Sequence, residues 1–460
     1  MIIRNHLGKF AIMLALVSLP GLPAKPAAAQ DAQQGQQPSY TLPEYNAEQA
    51  AASEKDPQQR VKLLDAFVAQ YPNSTLMPYI YQFYFQTYYQ LKNYAKAIEY
   101  ADKLVAMGDK APIAARFSAI QARVQLFPYA VKTTDPDFHD QAVKQRDAAM
   151  LGLKVLPDVK KAPGSTMSDA DVTTITVFLQ GALGLVNTQL KDYPAAIDAF
   201  KAVLALNSKD PVTNYRLGLA YLNSNPAQSL DGFWYLARAI SLKIPDDGKV
   251  KDYLRSRVLA YEQPGCDSQV DAQLSELLQL AANSPDRPTT YTIPSHDDLA
   301  KVSTSSTIIT VINDLGAGGD KAKMTWLAIC GAEFPEVVGK IVEVQKSDAY
   351  TDFMVFTSDN ADQMQSATTA NMDVKVWTAA KPAGAATSST ATAIPPQPDV
   401  VRFQKDDPIT FAGMLVSYDP SPFLLHWDQV KVDPTSIPAP EKPGAPKRTT
   451  PRKPAAKPSN

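Results

Sequence analysis

Three histidines beyond the first thirty residues, His139, His296 and His426, are the first candidates for proton transfer or metal ligation. They lie in different stretches. None stands in the His-Glu-x-x-His spacing that sets two imidazoles on one helix face for zinc, and no Gly-x-Ser-x-Gly turn presents a serine nucleophile beside them. His426, between Leu425 and Trp427, reads as a strand residue. Asp169-Ala170-Asp171 falls at a helix start, where carboxylates stabilise exposed backbone amides, so capping explains it better than metal binding. Asp406-Asp407 before Pro408 reads as a turn. Gly316, Gly318 and Gly319 lack the Lys-Ser or Lys-Thr of a phosphate loop and also read as a turn. No catalytic, cofactor-binding or metal-binding set emerges, and a hydrolase finds no support. The remaining chemistry is Cys266 and Cys330, the 2 cysteines of the chain. In an oxidising compartment a bond between them would stabilise by about 4 kcal/mol in the chain-entropy model; two singly buried thiols are the alternative.

The elements that would position such residues begin with bulk properties. The chain has 460 residues, 45 Lys plus Arg and 47 Asp plus Glu, a net charge of -2 that disfavours a nucleic-acid-coating protein. Hydrophobic residues at 45% and charged residues at 20% exclude general disorder and allow two or three folded units. At the start, Arg4 and Lys9 precede an apolar run at 10–19, broken by Pro20, Gly21 and Pro23 and followed by small residues at Ala27 and Ala29. This is a signal-peptide layout over 1–29, and the run falls short of the roughly 20 residues that cross a bilayer. The expectation is an exported chain, periplasmic or secreted, without a transmembrane segment in its mature form. A polar leader follows at 30–40.

From 41 to 284 the chain reads as successive helices. Leu91-Lys92-Asn93-Tyr94-Ala95-Lys96-Ala97-Ile98-Glu99 recurs 99 positions later as Leu190-Lys191-Asp192-Tyr193-Pro194-Ala195-Ala196-Ile197-Asp198, and Leu183-Gly184 recurs at an offset of 34 as Leu217-Gly218. These periods match helical repeats of 33 or 34 residues. The residues resemble the tetratricopeptide (TPR) repeat: Leu183, Gly184, Tyr193, Ala196 and Phe200 fall at its key positions, and the next repeat has Leu217, Gly218 and Tyr221. Departures are Asn187, where an aromatic is usual, and Ser208, where Pro is usual. Closing helices are expected at 247–262 and 267–283.

The resemblance implies a superhelical solenoid whose first helices line a concave groove for a peptide or protein. In that register the groove-facing positions are Tyr79, Gln82, Gln86 and Tyr89, then Phe178, Gly181, Leu185 and Thr188, then Val212, Tyr215, Leu219 and Leu222. The stretch 79–94 holds 8 aromatics. Tyr81, Phe85 and Tyr88 read as packing between helices, whereas Tyr79 and Tyr89 fit packing and ligand contact equally.

A linker at 285–295, with Ser284-Pro285 and Arg287-Pro288, opens a C-terminal domain at 296–436 with a helical lead-in. Strands are expected at 339–344, 352–357, 372–378, 408–417 and 423–432 from their alternation. Gly339 and Phe411-Ala412-Gly413-Met414-Leu415 resemble the oligonucleotide/oligosaccharide-binding (OB) type of small barrel, with an SH3-like or other small β fold as the rival. An Ala/Thr/Ser/Pro-rich insertion separates the third and fourth strands at 379–398. No basic stripe interleaved with aromatics supports nucleic acid. A bond from Cys266 to Cys330 would staple the repeats to this domain. The tail at 437–460 carries 7 Pro and 6 basic residues against Glu441 alone, so it reads as a disordered cationic arm.

The sequence therefore reads as a multidomain α+β chain: an all-α TPR-like solenoid, then a small OB-like β-barrel. The expected role is a non-enzymatic protein-interaction scaffold of the bacterial envelope, without cofactor. The alternative is a module that binds envelope glycan, anionic polymer or lipid through the barrel and basic tail.

Overall fold

The computed structural model describes residues 39–264, 266–379 and 395–440. The expected signal peptide at 1–29, most of the insertion (380–394) and most of the tail (441–460) lie outside them. Contacts divide the chain into two compact units, Met1–Lys251 with Leu280–Arg287, and Asp252–Gln279 with Pro288–Asn460.

The first unit is a succession of helices, each packed on its neighbours in sequence. They are α1 (Leu42–Ser53), α2 (Pro57–Gln70), α3 (Met77–Gln90), α4 (Tyr94–Ala106), α5 (Ile113–Ala130), α6 (Phe138–Lys161), α7 (Asp169–Gln189), α8 (Tyr193–Leu206), α9 (Pro211–Asn223) and α10 (Ser229–Ser241). The recurring nine-residue string encodes one turn used twice. Lys92 and Lys191 take left-handed backbone at φ 57 and 62°. The next residue then caps a helix: Asn93 accepts from the Lys96 amide and Asp192 from the Ala195 amide. Each also returns its own N–H to the preceding helix, Asn93 to the Tyr88 carbonyl and Asp192 to the Asn187 carbonyl, both at 2.9 Å. These bonds satisfy carbonyls that the helix end leaves open.

Glycine sets the helix spacing within each pair. A Cβ on Gly184 would lie 2.3 Å from the ring of Phe200, which is buried at 1% exposure. One on Gly218 would lie 2.9 Å from the Leu236 side chain and 3.0 Å from the Gly232 carbonyl oxygen. The larger side chain of the second helix thus occupies the space the first helix vacates. Two buried guanidiniums tie helices together. Arg123 of α5 pairs with Asp102 of α4 at 2.7 Å and donates to the Gln141 carbonyl of α6 at 3.1 Å. Arg238 of α10 donates to the carbonyls of Ala281 and Ser284, both at 2.9 Å. Ser208 stands where Pro was usual, and its carbonyl accepts from Asn214 and Arg238. Pro157 lies inside α6; burial of Val155, Leu156 and Val159 carries the helix past it.

The second unit contains parts of α11 (Asp247–Glu262) and α12 (Ser268–Asn283), then α13 (His296–Ser305), α14 (Ile308–Ala317), α15 (Gly319–Ile329) and a five-stranded barrel. Gly318 and Gly319, at φ 72 and 69°, make the turn between α14 and α15. The strands are β1 (Glu333–Lys346), β2 (Tyr350–Phe356), β3 (Met372–Trp377), β4 (Pro408–Pro420) and β5 (Phe423–Val432). They close in the order β1-β2-β3-β5-β4. All neighbours are antiparallel except β3 and β5. β1 is longer than expected because bulges near Phe334/Val337 and Ile341/Glu343 bend it onto both β4 and β2. Phe353, Val355, Val374, Val376, Phe411 and Trp427 fill the interior and continue into Val311, Leu315 and Trp326 of the lead-in helices.

Cys266 and Cys330 are bonded, with Cα atoms 5.5 Å apart. The expectation that this bond staples the repeats to the C-terminal domain needs correction. Both cysteines belong to the second unit, because residues 252–279 group with the barrel.

Candidate protein-binding surface

The groove positions expected from sequence fall into two patches, since α3 packs on α2, α4 and α5 whereas α7 packs on α6 and α8. On α3, Tyr79 and Gln82 are half-buried and Gln86 is exposed. Tyr79 lies against the cluster of Leu64, Phe67, Ile80 and Tyr84. Tyr89, 39% exposed, begins a row of rings: its centroid is 6.2 Å from Tyr94 of α4, which is 5.7 Å from Tyr129 of α5, itself 64% exposed. Tyr94 and Tyr129 were not among the expected groove residues. Tyr129 sits at a helix end, where spacing along one helix says nothing about the neighbouring loop.

Beneath this row the other tyrosines form the expected packing. Tyr84 stacks on Tyr100 at 4.0 Å and Tyr88 on Tyr100 at 5.6 Å, with the Lys103 ammonium 4.3 Å from the Tyr100 ring centre. The Tyr84 hydroxyl donates to Asp65 at 2.6 Å. Burial, then the Asp65 carboxylate, push that phenol well above its ordinary range. Phe85 is buried with Ala101 and Leu104.

The second patch spans α7 and α9. Phe178, Leu185 and Thr188 are half-buried, and nothing lies within 4 Å of a Cβ built on Gly181. The Thr188 hydroxyl donates to the Gly184 carbonyl at 2.8 Å. Leu185 packs against a cluster that Leu217, Ala220 and Tyr221 of α9 share with Ala196, Ile197 and Phe200 of α8. On α9, Val212, Tyr215 and Leu219 are half-buried. Leu222 is a correction: it is buried, and its Cδ2 lies 2.6 Å from where a Gly232 Cβ would stand, so it fills the α9–α10 contact.

Among Val212, Tyr215 and Leu219, at i, i+3 and i+7, stands Arg216 at i+4. It is half-buried and makes no hydrogen bond among the described residues. Desolvation holds its guanidinium below the usual arginine range, opposed by the Asp210 carboxylate. A basic residue between apolar positions of a first helix was the signal that sequence reasoning passed over. Asn187, which replaced an aromatic, is buried with its side-chain oxygen unpartnered, as is Asn214.

The chemistry candidates stay apart. His139 is exposed, and His296 begins α13 after the Ser295 cap. His426 lies between Asp373 at 3.1 Å and Asp419 at 3.0 Å on the barrel. Asp171 completes a capping box with Ser168, and Asp169 pairs with Lys160. Asp406 makes a left-handed turn at φ 74°. Among the described residues no group of three His, Cys, Asp or Glu is placed to hold a metal. No described helix is long and apolar enough to cross a membrane.

No protein family matches the sequence, and no curated protein does. Among the solved structures that resemble it are two repeat proteins. One is a thermophilic TPR protein of Thermus thermophilus, at 19% identity over 47% of this chain and 99% of that one, with a TM-score of 0.23. The other is the C-terminal part of a TPR repeat-containing protein of Cytophaga hutchinsonii, at 18% identity over 52% and 91%, also with a TM-score of 0.23. At that level of superposition they add no argument; the helical repeats and the closed barrel stand on the packing of the helices and strands themselves.

Proposed function

We propose that this chain is a non-catalytic binding protein of the bacterial envelope, whose repeat unit holds a segment of a peptide or protein partner. The α7–α9 patch takes an apolar side chain against Phe178, Leu185 and Leu219, and Arg216 pairs with a carboxylate of the same segment. The tyrosine row at Tyr89, Tyr94 and Tyr129 offers a second contact. The observation that carries the reading is Arg216: a half-buried guanidinium without a hydrogen-bonded acceptor is costly, and an incoming carboxylate would remove that cost. Export rests on the leader at 1–29 and accords with the Cys266–Cys330 bond, which persists in oxidising compartments.

The test is a peptide-library selection on the full chain and on Arg216→Gln. Enriched peptides are expected to carry a carboxylate beside apolar residues and to bind the variant about tenfold to hundredfold more weakly, as for a lost charged hydrogen bond. No enrichment, or equal affinity for both proteins, would sink the proposal. Fractionation of cells expressing the chain tests its export.

A further inference from the structure

The last residue of α11, Glu262, is fully buried at 0% exposure, and neither carboxylate oxygen has a hydrogen-bond donor. The side chain within its reach is Gln273 of α12, whose own amide oxygen is also buried without a donor. Burial outweighs what the Gln273 side chain offers the ionised carboxyl, and the negative end of a helix dipole further disfavours a charge there.

The titratable neighbours are phenolic or acidic. Tyr261 lies beside Glu262 in sequence, and Tyr291 approaches from the segment before α13; the Glu262 charge pushes both phenols further up than burial alone. The other charged groups acting on these tyrosines are Asp298 of α13 and Glu276 of α12, both acidic. Among the described residues no Lys or Arg acts on Glu262.

We propose that Glu262 is a proton-operated latch in the second unit: neutral, its carboxyl stays buried and holds the end of α11 against α12, and on ionisation that contact loosens. The inference is independent of the partner-binding reading, since it concerns other residues. Burial pushes the Glu262 carboxyl up to about 7 from 4.5. A carboxyl whose folded value is raised costs nothing below its unfolded value. Its stabilisation is lost as pH rises between the two values, here from about 4.5 to about 7, and the loss is constant above. The difference corresponds to about 300-fold in the closed-to-open equilibrium. The Cys266–Cys330 bond holds the connecting loop while the helix pair loosens.

Amide hydrogen exchange on the full chain, at about pH 5.5 and about pH 8.5 and corrected for intrinsic exchange, reads the latch directly. In the parent protein, protection across α11 and α12 should fall between the two conditions by up to about 30-fold, since about tenfold of the effect is already spent at the lower pH; in Glu262→Gln, which keeps a neutral donor at all pH values, it should not. Equal pH dependence in the two proteins would overturn the proposal. Because the variant has to fold for this comparison, infrared spectroscopy of the parent protein gives a second reading. A protonated-carboxyl band should be present at the lower pH and vanish with a midpoint near the value above; its absence at the lower pH would overturn the latch.

Discussion

Replacing Gly184 with alanine puts a methyl group 2.3 to 2.7 Å from three atoms of the Phe200 ring. That ring is buried at 1% exposure. The same substitution at Gly181, one turn earlier on α7, meets nothing within 4 Å. Both changes gain about 1 kcal/mol from replacing glycine in a helix interior. Only Gly184→Ala incurs overpacking, which costs about 1 to 3 kcal/mol in a filled core, and contact with three ring atoms argues for the upper end. We expect Gly181→Ala to stabilise by about 1 kcal/mol and Gly184→Ala to destabilise by about 1 to 2 kcal/mol. For a unit of this size the two variants should melt about 5 to 10 °C apart when helix content is followed by circular dichroism. Adding Phe200→Leu to Gly184→Ala should recover part of the loss, because the smaller side chain vacates the ring positions. If the two alanine variants melt together, Phe200 does not pack against Gly184 and the close crossing of α7 and α8 is wrong.

Removing the partner of the buried Arg123 by Asp102→Ala should cost about 3 to 5 kcal/mol in urea unfolding, since a desolvated guanidinium loses its one carboxylate; a loss below about 1 kcal/mol would mean the pair is solvated. Lys92→Gly and Lys191→Gly should each stabilise by roughly 1 kcal/mol in thermal melting, because both positions hold left-handed backbone; a loss of stability at either would mean that its turn is not left-handed. Replacing Cys266 and Cys330 together with serine should lower the stability of the second unit by about 4 kcal/mol, as the bond closes a loop spanning 64 positions. A change confined to the first unit would contradict the grouping of both cysteines with the barrel.

Local order was legible because the signals are local. The string around Tyr94 and Tyr193 specified a turn and a cap through residues adjacent in sequence, and both copies fold alike. The five strands were readable from alternation, since each has one face in the barrel interior. The surface was less legible. Leu222 belongs to the α9–α10 contact, because the small Gly232 opposite draws it inward. Tyr129 joins Tyr94 and Tyr89 only through the packing of α4 on α5.

By itself the sequence determined the repeat period, the order of helices and strands, and the absence of a recognisable catalytic motif, all of which depend on spacing along one chain. Tertiary structure decided which side chains lose water. The environments of Arg216 and Glu262 depend on helices that bring distant residues together, and the cost of burying a charge is set by what surrounds it in space. It also decided that Cys266 belongs with Cys330 in one unit, because bonding requires Cα atoms within a few ångströms, a distance that sequence separation does not encode.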